Sequence, residues 1–229
     1  MSSSPDPDSS HRVYAAFATP FGEAHLPDAA PLNAALKRVI LDLERPQADF
    51  RNPDPVVQQP EALFESRFEF FANSDPAVRA LKQFCWEALG KFFRQLATPE
   101  AEIHAAADLR VHSQTWFHIT RSGGYFGYHN HPMASWSGVY CVTDGEPDAE
   151  RSNNGVLVFP HPLPSANSFL DCTNGALQWP FSNVNLVLKL VPGQLVLFPS
   201  WLGHYVTPFY GKGERITVAF NAWFKLGDG

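Results

Sequence analysis

The apolar pattern changes its period near residue 107, and that change limits the fold more than any other feature of the chain. Before it, Leu32, Leu36, Val39, Ile40 and Leu43 recur at helical spacing between Pro31 and Glu44, so one stripe of a helix faces a core. Asp75 and Pro76 then supply an N-cap and a first-turn proline ahead of Val78, Leu81, Phe84, Cys85, Phe92 and Leu96, which predicts a second helix. After it, Leu109, Val111, Phe117 and Ile119 alternate with Arg110, His112, Gln114, Trp116 and His118, the signature of a strand with two unlike faces. Shorter runs follow: WSGVYCV from Trp136, GVLVFP from Gly155, LVLKLV from Leu186, QLVLFP from Gln194 and ITVAFNAWF from Ile216. Turn residues separate them. The expectation is a mainly β chain with N-terminal helices, a β-sandwich or barrel with helices packed outside.

Composition narrows the partners. With 45% apolar and 14% aromatic residues in 229, the chain can bury a substantial core. Charged residues are only 17%, the formal net charge is −6 and no basic run occurs, which argues against nucleic acid or an anionic membrane surface as a partner. The start, MSSSPDPDSS, has neither a basic nor an apolar segment of the kind that directs export. Cys85, Cys141 and Cys172 are an odd number without metal-type spacing, so a reducing, cytoplasmic setting is expected. Residues 1–12 read as a disordered tail and 13–229 as a single domain, helical to about 107 and β from 108. FESRFEFF, after the proline-rich stretch that begins near residue 45, takes no assignment.

Three pieces carry chemistry. His129 and His131 stand two apart in HNHP, just ahead of a strand; side chains at i and i+2 of an extended segment point the same way and can reach one ion. A polar loop whose histidines merely hydrogen-bond accounts for the pair equally well. His204 follows in PSWLGHYV, amid aromatic residues at the end of a strand. Alternation along RITVAFN then puts Arg215, Thr217, Ala219 and Asn221 on one face, with Ile216, Val218 and Phe220 on the other. An arginine among small residues suits a cavity wall that offers a guanidinium to a carboxylate, although a solvated strand face with a surface ion pair has the same pattern.

HNHP, SGVYCV, GVLVFP, PGQLVLFPSWLGHYV and GERITVAFN together resemble the 2-oxoglutarate and iron(II) dependent oxygenases of the double-stranded β-helix (jelly-roll, cupin-like) fold, over roughly Trp116 to Trp223. The resemblance implies that His129 and His204 are the two histidines of the family's iron site and that His131 occupies the position of its acidic ligand. It also implies that Arg215 pairs with the C5 carboxylate of 2-oxoglutarate, that Thr217 is the hydroxyl residue beside it, and that Tyr140 reaches the same carboxylate. The implied cofactors are Fe(II) and 2-oxoglutarate as co-substrate, with dioxygen as the other reactant, and the implied activity is hydroxylation of an unknown substrate with release of succinate and CO2.

The histidine at position 131 departs from the family's H-x-D/E pattern, since three neutral imidazoles give iron a different charge from two imidazoles and a carboxylate. Asp144, Glu146 and Asp148, one strand later, are alternative ligands, and carboxylates behind the rings could restore negative charge. Trp116, Tyr125, Phe126, Tyr128, Trp136 and Trp201 could exclude water, and His118 could face the site. A cupin-like barrel that binds a metal or small acid without turnover, or a hydrolase or isomerase using zinc or manganese on the same histidines, are the competing readings.

Overall fold

The structure is a computed structural model that describes residues 13–57, 59–101, 109–163, 165 and 168–226. The tail expected at 1–12 lies outside the described residues. Strand β1 (Gly22–His25) precedes helix α1 (Ala29–Glu44); β2 (Leu63–Glu65) precedes helix α2 (Pro76–Leu96). Eight strands follow: β3 (Leu109–Thr120), β4 (Phe126–His129), β5 (Trp136–Thr143), β6 (Leu157–Phe159), β7 (Leu186–Leu188), β8 (Gln194–Pro199), β9 (His204–Val206) and β10 (Arg215–Leu226).

Both helices fall where the sequence places them, and α2 starts for the expected reason: the Asp75 carboxylate accepts from the Ala77 N–H with Pro76 next in line. The strands form two antiparallel sheets, one of six in the order β1-β8-β5-β10-β3-β2 and one of four in the order β4-β9-β6-β7. The two sheets face each other without closing into a continuous barrel, as a double-stranded β-helix does. The N-terminal part is not only helical, because β1 and β2 form the two edges of the larger sheet. Each is three or four residues long, too short to show an alternating pattern in the sequence.

Alternation along the central strands divides the interior into two cores. On β10, Ile216, Val218 and Phe220 face the helices and pack with Leu36, Ile40, Leu81 and Leu89. On the other face of the same sheet, Cys141, Val196 and Phe198 meet Leu157 and Phe159 of the smaller sheet. The result is three layers: helices, six strands, four strands. Phe220 is fully buried, 5.0 Å from the Trp86 ring, and Gly138 on β5 leaves it room, since a Cβ there would collide with the Phe220 ring. Phe220→Ala is expected to lower unfolding free energy by about 3–5 kcal/mol, measured by urea titration.

Candidate metal centre

His129 closes β4 and His204 opens β9, and the two strands pair so that these residues stand directly opposite one another. Cross-strand partners lie within about 4.5–5.5 Å at Cβ, so backbone pairing alone brings together two residues distant in sequence. His131 sits beyond the end of β4, in the turn that follows, yet its ring centroid is 4.9 Å from that of His129 and 5.1 Å from that of His204. One nitrogen from each of the three rings lies within 4.8 Å of the others.

Backbone clamps hold the two turns that carry these residues. The His131 N–H donates to the Ser200 carbonyl (2.9 Å), and the Ser200 N–H donates to the Ser135 carbonyl (3.1 Å). Beneath them the buried Ser137 hydroxyl donates to Asn221 Oδ1 (2.8 Å) and therefore receives the Ser200 hydroxyl (2.8 Å). Thus β5, β10 and the turn leading to His204 share one hydrogen-bonded knot. Asn221 belongs to that knot and not to the cavity wall.

The rings present the right nitrogen. His129 Nδ1 donates to the Gly127 carbonyl (2.8 Å) and His204 Nδ1 to the Leu202 carbonyl (3.0 Å), which fixes the proton on Nδ1 and leaves the Nε2 lone pair for an ion. His204 is further wedged between Phe159 and Phe198, at centroid distances of 5.3 and 4.9 Å. Burial, reinforced by the neighbouring imidazoles, pushes His131 down to about 2 and His204 to about 3; burial also lowers His129, against the pull of the Gly127 carbonyl. All three rings are neutral at pH 7, the state that binds metal. The donor set fits Fe(II): His129, His131 and His204 could hold an iron ion.

A narrow cavity runs from these rings to Arg215, lined also by His118, Trp116, Phe126, Thr217 and Ala219. Arg215 is 5% exposed, and none of the ion pairs among the described residues involves it. Burial lowers its affinity for the proton, and the attraction of Cys141 and of the Asp144 carboxylate offsets this only in part. A buried guanidinium without a close ion pair is costly, and an anion in the cavity would reduce that cost.

Several expectations need correction. Tyr140 does not reach this cavity: it points to the opposite face of β5, is fully buried in the helix-side core, and its hydroxyl donates to Asn33 Oδ1 (2.7 Å). Val139, its neighbour, faces the cavity instead. Among the described residues the metal-type cluster contains histidines only, and Glu146 and Asp148 line a separate surface hollow with Tyr210 and Lys212. Of the six aromatic residues, Trp116 and Phe126 line the cavity. Trp136 packs on Phe92, while Tyr125, Tyr128 and Trp201 are exposed.

His118 does face the cavity, and the residue that holds it escapes a reading of the sequence. Glu65 of β2 receives His118 Nε2 (2.9 Å) and the Asn52 amide (2.6 Å). Burial, the largest single influence, opposes its charge, but the bond to His118, the attraction of that ring and the bond to Asn52 act together against it, so its carboxyl stays below the usual range. A single acid inside the apolar run LFE was the available signal, but its partner lies 53 positions away.

With metal removed by chelator, the urea midpoint should fall as pH drops from 7 to 5. The unfolded chain takes up protons at histidines near pH 6.5 while folded His131 and His204 do not, so the unfolded state gains on acidification. The double variant His131→Gln/His204→Gln should flatten that slope. Tyr140→Phe should lower stability by about 1–2 kcal/mol, because it leaves Asn33 Oδ1 buried and unpaired, with no change in the affinity of the metal-loaded protein for 2-oxoglutarate in a calorimetric titration.

Residues 114–221 match the family model described as "Putative 2OG-Fe(II) oxygenase". No curated protein matches the chain significantly. Among solved structures, a Pseudomonas putida prolyl-4-hydroxylase aligns at 16% identity over 92% of this chain and 94% of its own, with a TM-score of 0.53. A Trichoplax adhaerens prolyl hydroxylase in complex with a hypoxia inducible factor peptide aligns at 10% over 90% of this chain and 84% of its own, TM-score 0.57. HygX from Streptomyces hygroscopicus, with nickel, 2-oxoglutarate and hygromycin B bound, aligns at 11% over 89% and 82%, TM-score 0.51. The resemblance carried by HNHP, FPSWLGH and RITVAFN therefore holds at two levels: residues 114–221 fit the sequence model of the 2OG-Fe(II) oxygenase family, and the chain takes that family's double-stranded β-helix fold.

Proposed function

We propose that the protein is a non-haem Fe(II) and 2-oxoglutarate dependent dioxygenase, with His129, His131 and His204 as the iron ligands and Arg215 as the anchor of the co-substrate. The observation that carries this reading is the cavity with neutral imidazoles at one end and, at the other, a buried guanidinium that makes no ion pair among the described residues. A metal-binding scaffold needs only the first of these. A dicarboxylic acid is matched by both, since one carboxylate reaches the metal end while the other forms a charge-assisted pair with Arg215.

When bound, iron supplies the dioxygen chemistry that splits 2-oxoglutarate into succinate and CO2 and oxidises a substrate, with hydroxylation as the default outcome. The chain's own groups do the rest. Gly127 and Leu202 carbonyls aim two of the rings. Thr217, 3% exposed and two residues from Arg215 on the same face, offers a hydroxyl to the same carboxylate. Trp116 and Phe126, both buried in the wall, keep bulk water from the metal end. The primary substrate enters this proposal only as a molecule whose oxidisable carbon reaches the metal end. The solved structures that resemble this chain include one with a peptide and one with hygromycin B bound, so the fold accommodates both kinds.

Anaerobic addition of Fe(II) and 2-oxoglutarate should give a weak visible charge-transfer band, absent in His204→Ala, and admission of air should yield succinate. Arg215→Leu should weaken 2-oxoglutarate about a hundredfold, as expected when one partner of a buried charge pair is removed, and should leave the affinity for 2-oxobutyrate, which lacks the second carboxylate, unchanged. Metal binding without the band and without succinate would support the scaffold reading instead.

A further inference from the structure

Four buried side-chain nitrogens have no hydrogen-bond partner among the described residues: Asn33 Nδ2, Gln59 Nε2, Arg67 Nε and Trp116 Nε1. Only Trp116 belongs to the cavity wall. The indole is 4% exposed and its N–H has no acceptor among the described residues; leaving such a donor unmade costs about 1–3 kcal/mol. A donor-only group buried without a partner in the wall of a narrow cavity calls for an acceptor that the described residues do not provide.

Its place along the sheet says which end of a ligand that acceptor belongs to. On β3 and β10 the register pairs Thr120 with Arg215, His118 with Thr217 and Trp116 with Ala219. Same-face neighbours on a strand are roughly 6.8 Å apart, so Trp116 stands about two such steps from the level of Arg215. At that height its ring is 5.5 Å from the His131 ring, with Phe68 packed edge-on behind it at 5.2 Å. Arg215 and Trp116 therefore mark opposite ends of the cavity, and the indole is at the metal end. Among the described residues no carboxylate joins the metal-type cluster there, and an N–H donor is matched by an acceptor oxygen.

We propose that Trp116 is a further binding residue of this site: its Nε1–H donates a hydrogen bond to an oxygen of the 1-carboxylate or 2-oxo group of a bound 2-oxo acid. The inference rests on the proposed function and adds a contact at the end of the acid that Arg215 does not touch. It makes Trp116 a determinant for the 2-oxo acid group itself, whereas Arg215 selects for the second carboxylate.

The test uses the full chain loaded with Zn(II), which is redox-silent, and two probes, 2-oxoglutarate and 2-oxobutyrate. The chain has six tryptophans, so the indole region of a 15N–1H spectrum is simple, and Trp116→Phe identifies the signal concerned while retaining an aromatic ring. Either acid should shift the Trp116 signal in the wild-type protein. Trp116→Phe should weaken both acids about tenfold, the cost of one hydrogen bond to a charged group, with Zn(II) affinity unchanged. An unmoved indole signal together with equal affinities in variant and wild type overturns the inference, and so does a loss confined to 2-oxoglutarate, which would put the donor at the Arg215 end. If the wild-type protein binds neither acid, the oxygenase reading itself fails and the role of Trp116 falls with it; the wild-type spectrum decides this without any variant.

Discussion

The pairing of β4 with β9 is the constraint on which the site depends. It sets His129 against His204, and no flexible loop is asked to bring them together. The third imidazole then needs only a turn whose backbone is fixed, and the bond from the His131 N–H to the Ser200 carbonyl provides it. The polar knot of Ser137, Ser200 and Asn221 lies under both turns. Because each of its hydroxyls is satisfied by another member, it stiffens the region without leaving a buried polar group wanting.

Charge gives the cavity its chemical character. The imidazoles of His129, His131 and His204 are neutral, the guanidinium has no ion-pair partner among the described residues, and the one acid buried among those residues, Glu65, is occupied by His118 and Asn52. A site with this balance suits an anion, although the chain as a whole is acidic, with a formal net charge of −6. A field focused inside a low-dielectric cleft outweighs the diffuse charge of the surface. The His118–Glu65 pair extends the polar wall to β2, so the short edge strand at the far side of the sheet has a part in shaping the cleft.

Much of this was legible in the sequence because the motifs report backbone geometry. Alternation on β10 separates Arg215, Thr217 and Ala219 from Ile216, Val218 and Phe220, and the structure sorts them onto the two faces accordingly. The same rule applied to WSGVYCV would have warned against Tyr140: Val139 and Cys141 face the smaller sheet, so the residue between them must face the helices. What could not be read was set by contacts across long separations. Glu65 becomes interpretable only once β2 pairs with β3, and β1 and β4 are too short for a period to show. The tyrosine followed a family resemblance against the local pattern, and the local pattern prevailed.

One asymmetry among the three imidazoles has a consequence for the ion they would grip. His129 and His204 are each pinned through Nδ1 by a carbonyl, but no hydrogen bond to the His131 ring is made within the described protein. Two of the rings are held by hydrogen bonds, and the third is held by packing against Trp116 and its neighbouring imidazoles. A ring held only by packing would adjust to cations of differing radius more readily than one pinned by a carbonyl, so for these three imidazoles shape alone would discriminate weakly among first-row divalent metals.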